Sequence, residues 1–196
     1  MINKNFDLTL WCPTCKERHA IGFNAKIETY LYNSTGGFRA SDLKDICIEF
    51  GADSFNISSF CNKCRNKFIV IDTGVADCIE LLNNNQRYTA YSCQGHIEYH
   101  KDKPAIYSMP YITFSELYND FASPTFRKGL PKNWEIVEDV RSIPIRPHQY
   151  IPREVTEFCY TAYDECYQLP DEEIKRINTN APMNELYAYL AEYFKK

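Results

Sequence analysis

Two Cys-x-x-Cys pairs constrain this chain more than any other feature, Cys12-Pro-Thr-Cys15 and Cys61-Asn-Lys-Cys64. A turn of this spacing places two sulfurs at the separation that two corners of a zinc tetrahedron require. Each pair follows an aromatic residue and precedes a polar stretch that leads into a predicted strand. The sequence therefore predicts a zinc ribbon in which Cys12, Cys15, Cys61 and Cys64 bind one structural Zn²⁺ per chain.

Two other interpretations of these cysteines were weighed. A redox pair of the thioredoxin type needs a single Cys-x-x-Cys at a helix start within a βαβ unit, and neither pair has that context. His19 could replace one cysteine as a ligand, but the matching surroundings of the two pairs favour four thiolates. Basic residues near both pairs, Lys16 and Lys63 among them, favour the thiolate form.

Cysteine usage and charge suggest where the chain works. Nine cysteines, an odd number, with no signal peptide in MINKNFDLTLW argue against a disulfide framework and for a reducing, cytoplasmic location. No apolar run is long enough to cross a membrane, so no membrane partner is expected. With 22 basic and 26 acidic residues, the chain lacks the cationic excess of a protein that binds duplex DNA.

The order of patterns predicts an α+β fold, with the zinc ribbon embedded in a mixed α/β domain that has a helical C-terminal region. Three segments are expected. Residues 1–71 form the ribbon with a helical insert at 41–50, residues 72–150 a mixed region that holds a ligand pocket, and residues 151–196 the helical region.

Several elements follow from local patterns. Asp72-Thr73 is a helix start, and the asparagines at 83–85 are a helix stop. Strands are predicted at 88–93 and 111–114, with a polar loop between them, and at 134–137 and 140–143. The apolar residues that recur at helical spacing after the last of these predict a helix; they are Val155, Phe158, Cys159, Ala162 and Cys166. Two further helices are predicted, one beginning at Pro170 and one carrying Leu186 and Leu190.

Candidate binding residues are concentrated in one run at the end of a predicted strand, Ser92-Cys93-Gln94-Gly95-His96. Ser92 and Cys93 end the strand, Gly95 permits a turn or a close approach of a ligand to the backbone, and His96 offers a donor, an acceptor or a metal ligand. Strand ends hold binding residues rigidly while leaving them accessible. The alternative is that Cys93 is a small core residue and His96 caps the turn.

This segment resembles one in small uncharacterised bacterial and bacteriophage proteins, and more distantly one in the third wybutosine-synthesis family, methyltransferases that modify a tRNA base with S-adenosylmethionine. The matching residues are Leu82, Asn83, Tyr88, Thr89, Ser92, Cys93, Gly95 and His96. Two positions depart from the pattern, since Arg87 stands where a glycine is expected and His96 where the tRNA-modifying family has arginine. The resemblance implies a ligand pocket at this strand end but not methyl transfer.

A proline-rich segment between Ile143 and Arg153 carries further candidate ligands. Its prolines predict an extended backbone. If it borders the Cys93 pocket, Arg146 and His148 are suited to bind phosphate or carboxylate. The alternative is an exposed interdomain linker.

The sequence predicts a zinc-ribbon protein that binds a small anionic ligand, such as a nucleotide or a nucleotide-derived signal, at the strand end formed by Ser92, Cys93, Gly95 and His96. Sequestering a defence signal in a conflict between phage and host would fit the resemblance. One alternative is an enzyme acting on a nucleotide or a nucleic-acid base through Cys93 or His96. Another is a protein- or RNA-interaction module, and a homo-oligomer is compatible with all three.

Overall fold

A computed structural model describes residues 8–12, 14–21, 63–64, 69–100, 103–146, 149–163 and 168–195. Cys61, His148 and the predicted insert helix at 41–50 lie outside the described residues. The chain divides into two compact units, residues 1–76 and 77–196. Helices and a four-stranded antiparallel sheet are both present, which confirms the α+β class.

The N-terminal unit contains a three-stranded antiparallel sheet. Its strands are β1 (Leu8–Cys12), β2 (Glu17–Ile21) and β3 (Ile69–Asp72), in the order β2-β1-β3. Trp11 lies opposite Arg18 on one side and Ile69 on the other, and its side chain is buried. The strands predicted after each pair are thus confirmed as β2 and β3, and β1 is the central strand.

Helix α1 follows β3 after a short 3₁₀ turn. The turn spans Thr73–Val75 and the helix Ala76–Asn84. Asp72 occupies the N-cap position, but its side chain makes no capping hydrogen bond. At the other end, Asn85 Nδ2 donates to the Leu81 carbonyl over 2.8 Å and Gln86 takes the left-handed conformation. The predicted start and stop are therefore confirmed, with Gln86 rather than an asparagine in the left-handed position.

The C-terminal unit is built on a four-stranded antiparallel sheet in the order β4-β7-β9-β8. Strands β4 (Thr89–Cys93) and β7 (Tyr111–Phe114) match the predicted ones. The polar segment between them is not a loop, as predicted, but a hairpin of β5 (His96–His100) and β6 (Lys103–Ser108). The charged residues within it concealed its alternation.

The two short strands predicted after residue 133 are one long strand. Strand β8 runs over Trp134–Arg146 and pairs antiparallel with β9, Gln149–Tyr160. Residues 143–146 and 149–153 of the proline-rich segment therefore lie in paired strands of this hairpin, and the interdomain-linker alternative is wrong. Pro144 is tolerated because it lies at a register shift on an outer strand.

The helix predicted from Val155, Phe158 and Cys159 is also wrong, because these residues belong to β9. Four successive residues of this strand, 155–158, are buried. Strand β9 has a neighbour on each side, and such a strand can be buried on both faces, so its apolar positions imitate helical spacing.

The core of this unit is an aromatic cluster on one face of the sheet. Phe158 and Phe114 contact Phe121, which in turn contacts Phe126 of helix α2, Pro124–Gly129. Two further helices complete the unit, α3 (Asp171–Asn178) and α4 (Ala181–Tyr193). Both match the predicted C-terminal helices, with Pro170 at the N-cap of α3 and acidic residues in its first turn.

Candidate metal centre and strand-end turn

The sulfurs of Cys12, Cys15 and Cys64 form a cluster in which the ligand atoms all lie within 4.8 Å of one another. Cys12 Sγ and Cys64 Sγ are 3.5 Å apart, although the two residues come from different Cys-x-x-Cys pairs. Cysteines from both Cys-x-x-Cys pairs therefore meet at one place. This spacing is close enough for the three sulfurs to hold one metal ion.

The first turn is shaped by backbone hydrogen bonds. Cys12 ends β1, and its carbonyl accepts from the Lys16 N–H over 2.8 Å. Lys16 adopts a positive φ of 56°, which reverses the chain into β2. The Cys15 N–H points at Cys12 Sγ over 3.4 Å. An amide aimed at sulfur favours the thiolate form and orients it as a ligand.

The cluster is partly shielded from solvent. Cys12 is fully buried beside Trp11, whereas Cys15 and Cys64 are half-buried. Three of the four predicted ligands are thus brought together, and the fourth, Cys61, lies outside the described residues.

The strand-end turn of the C-terminal unit is closely packed. Cys93 ends β4 with 8% of its surface exposed. Its sulfur accepts the Gly95 N–H over 3.3 Å and lies 3.3 Å from Ser108 Oγ. Ser92 is half-buried. These contacts tie the end of β4 to the end of β6.

Gly95 is required here by packing and by backbone conformation. Its φ of 91° disfavours any side chain, and a Cβ would lie 2.8 Å from Pro110 Cδ and 2.9 Å from Ile177 of α3. Protein side chains, not a ligand, therefore occupy the space on that side of the glycine. His96 begins β5 opposite Ser108, and Arg146 lies opposite Gln149 at the hairpin end.

A buried polar cluster on the sheet was not predicted from the sequence. Glu157 is 7% exposed, and both its oxygens are bound. Oε2 accepts from Thr113 Oγ1 (2.6 Å), and Oε1 accepts from Arg141 Nη2 (3.1 Å) and Cys159 Sγ (3.1 Å). Burial alone raises the pKa of Glu157, but these hydrogen bonds and the Arg141 charge outweigh it and lower that pKa. The signal in the sequence is one glutamate within an apolar run, Val-Thr-Glu-Phe-Cys.

A second buried carboxylate fastens α3 to the sheet. Glu173 accepts hydrogen bonds from the hydroxyl of Tyr160 and from Asn133 Nδ2 and Arg176 Nε, the last two over 3.2 and 3.1 Å. Arg176 also pairs with Glu185 of α4 over 2.7 Å. Tyr160 belongs to β9 and Arg176 to α3 itself, so this network positions α3 and α4 on the sheet.

Comparison of the chain with known protein families, curated proteins and solved structures finds no match. Among the helices that the structure describes, none combines the length and the apolar character needed to cross a membrane.

Proposed function

We propose that this chain is a zinc-ribbon protein whose N-terminal unit is ordered by one Zn²⁺ on Cys12, Cys15, Cys61 and Cys64. The observation that carries the proposal is the convergence of three sulfurs from two separate turns within 4.8 Å. All four proposed ligands are thiolates, and a site with four protein ligands is a closed structural site rather than an open catalytic one.

Sulfur-only ligation selects the metal class. Thiolates are soft ligands that favour zinc or iron over magnesium and calcium, and four of them form the tetrahedron of structural zinc sites. The metal neutralises part of the thiolate charge and joins the two turns, so folding of the N-terminal unit is coupled to binding.

Native mass spectrometry with elemental analysis tests the metal on protein purified from cells. One zinc per chain is expected, with loss of the metal in Cys12→Ser and Cys64→Ser. Cys78→Ala is the matched control, since Cys78 is a buried thiol in the other unit whose Sγ donates to the Met183 carbonyl. A wild-type chain without metal, or the Cys12→Ser and Cys64→Ser variants with a full complement, would contradict the proposal.

The activity we propose for the C-terminal unit is binding of a small anionic ligand, such as a nucleotide, beside the turn that follows β4. Ser92 lies near the end of the outer strand β4 and Gln94 directly follows that strand; both are half-buried and support a polar surface at this place. Packing around Gly95 restricts the approach to the side away from Pro110 and Ile177. The enzymatic alternative has less support, because the Cys93 sulfur is nearly buried and engaged by Gly95 and Ser108.

Calorimetry against a nucleotide panel tests this activity, with His96→Ala as the binding variant. Ser123→Ala is the control, because Ser123 caps α2 and lies outside the turn. Binding that is lost in His96→Ala and kept in Ser123→Ala would support the proposal. No binding by any nucleotide, with the zinc complement intact, would reject the ligand while leaving the metal proposal in place.

The interaction-module alternative is favoured by one observation at the ribbon. Arg18 and Lys63 are exposed near the cysteine turns. A protein or RNA partner with an acidic surface would meet these cations. Charge reversal at Lys63 should abolish capture of such a partner, whereas Cys93→Ala should leave it unchanged.

A further inference from the structure

Strand β8 forms one outer edge of the four-stranded sheet, and its register with β9 determines which backbone groups face outward. In β9, the Thr156 and Tyr160 N–H groups donate to the carbonyls of Glu116 and Pro110, on the side of β7. Odd-numbered residues of β9 therefore bond toward β8, where they lie opposite odd-numbered residues. The even-numbered residues of β8 consequently direct their N–H and carbonyl groups outward.

Two of these outward groups are occupied by side chains of the same chain. The Val140 N–H donates to Asp139 Oδ1 over 2.7 Å. The Ser142 carbonyl accepts from Tyr91 Oη over 2.6 Å, and Tyr91 belongs to β4, the strand at the opposite edge of the sheet. Both hydrogen bonds are exposed to solvent, where water could satisfy the same groups.

We propose that Asp139 and Tyr91 block the outer edge of β8 against β8 of a second copy of the chain. A sheet edge with unpaired backbone groups is a template for another strand, and proteins cover such edges with charged or bulky side chains. An incoming strand would have to displace the Asp139 carboxylate from Val140 and the Tyr91 hydroxyl from Ser142.

The sequence of β8 is complementary to itself, so the strand that would pair with this edge is β8 of a second copy. A two-fold axis at Glu138 places Glu135 opposite Arg141 of the copy, and Ile136 opposite Val140, whose side chain is 57% exposed. The charge pairs and the apolar pairs favour this register. Glu138 disfavours this register, because it lies opposite Glu138 of the second copy at the axis, and like charges directly opposite each other are destabilising.

Sedimentation equilibrium on the full chain tests the block. Asp139→Ala with Tyr91→Phe removes both covering groups, and dimerisation should strengthen about tenfold or more, since the Val140 N–H of each copy is freed to pair with the other copy. Asp139→Asn is the matched control, because its amide oxygen still accepts from Val140, and it should behave as wild type. Hydrogen exchange at the Val140 amide should slow in the dimer.

Two results would overturn the proposal. One is a double variant with a native circular dichroism spectrum and unchanged self-association. The other is a wild-type chain that already dimerises with its Val140 amide protected. If the double variant does not fold, the single Asp139→Ala variant is judged by the same criterion.

Discussion

Arg141 and Glu157 join the two longest strands through both oxygens of one carboxylate. Arg141 Nη2 lies 3.1 Å from Oε1, and Nε lies 3.3 Å from Oε2. The arginine is partly exposed whereas the glutamate is buried, so the guanidinium covers the carboxylate from the solvent side. With Thr113 and Cys159 also donating, the charge of Glu157 is matched where it is buried.

Glu157 should make the stability of the fold depend on pH in the acidic range. Its folded pKa lies below its unfolded value of about 4.3. The contribution of Glu157 to the free energy of unfolding is therefore fully present above the unfolded pKa and is lost as pH falls through the folded pKa. Thr113→Val removes the shortest hydrogen bond to the carboxylate, raises that pKa and should shift acid unfolding to higher pH.

Urea unfolding between pH 3 and 7 measures this effect, with Thr161→Val as the control because Thr161 is exposed and does not contact Glu157. We expect wild type and Thr161→Val to lose stability together, and Thr113→Val to lose it earlier on acidification. Parallel curves of unfolding free energy against pH for Thr113→Val and wild type would show that Glu157 does not determine the loss of stability in acid.

Gly95→Ala should destabilise the C-terminal unit by about 2–4 kcal/mol, since it combines an unfavourable positive φ with a clash against Pro110 and Ile177. Gly129→Ala is the comparison. There a Cβ would meet only the end of the Tyr189 ring, and no positive φ is involved. Urea denaturation of both variants should show the larger loss at Gly95; equal losses would mean that the strand-end turn adapts.

Local signals in the sequence predicted the parts of the fold that depend on neighbouring residues. The cysteine turns, α1 and the start of α3 at Pro170 each depend on spacing or capping within a few residues. The cluster of the Cys12, Cys15 and Cys64 sulfurs was predicted for the same reason, because Cys-x-x-Cys spacing is a local signal.

Features that depend on long-range pairing were not predictable in this way. Strand β9 was interpreted as a helix because burial on both faces removes the alternation that identifies a strand. The contact of Arg141 with Glu157 requires the β8–β9 register. The packing of Gly95 against Ile177 joins residues far apart in the sequence, so the sequence alone leaves open whether the glycine permits a turn or the close approach of a ligand.

Arg87, which stands where the resembling segments have glycine, should contribute to stability through Asp120. Its Nη2 lies 2.9 Å from Asp120 Oδ2, and its guanidinium lies 5.0 Å from the Tyr118 ring centre. A double-mutant cycle with Arg87→Ala and Asp120→Ala should give a coupling energy of about 1 kcal/mol. The more exposed pair Arg127–Glu138, at 3.6 Å, should give less. Equal coupling in both pairs would mean that the shorter distance and lower exposure of the Arg87–Asp120 pair add nothing.

Thiol alkylation should separate the cysteines by environment. Burial, and then the hydrogen bond to Glu157, raises the pKa of Cys159 to about 12, and burial raises the pKa of Cys78 further. Near pH 8 the thiolate fraction of Cys159 falls about a thousandfold below that of an ordinary cysteine, so both thiols should stay unmodified in the native chain. Cys12, Cys15 and Cys64 should be protected by bound zinc and become modified once a chelator removes it.

Mass-spectrometric mapping after a brief iodoacetamide pulse, with and without chelator, reads all of these positions in one experiment. The chelator should increase modification at the three clustered cysteines and leave Cys78 and Cys159 unchanged. That contrast would place the metal in the N-terminal unit, because Cys78 and Cys159 belong to the other unit. Modification of Cys159 at the rate of an exposed thiol would instead mean that the β8–β9 hairpin opens around Glu157 in solution.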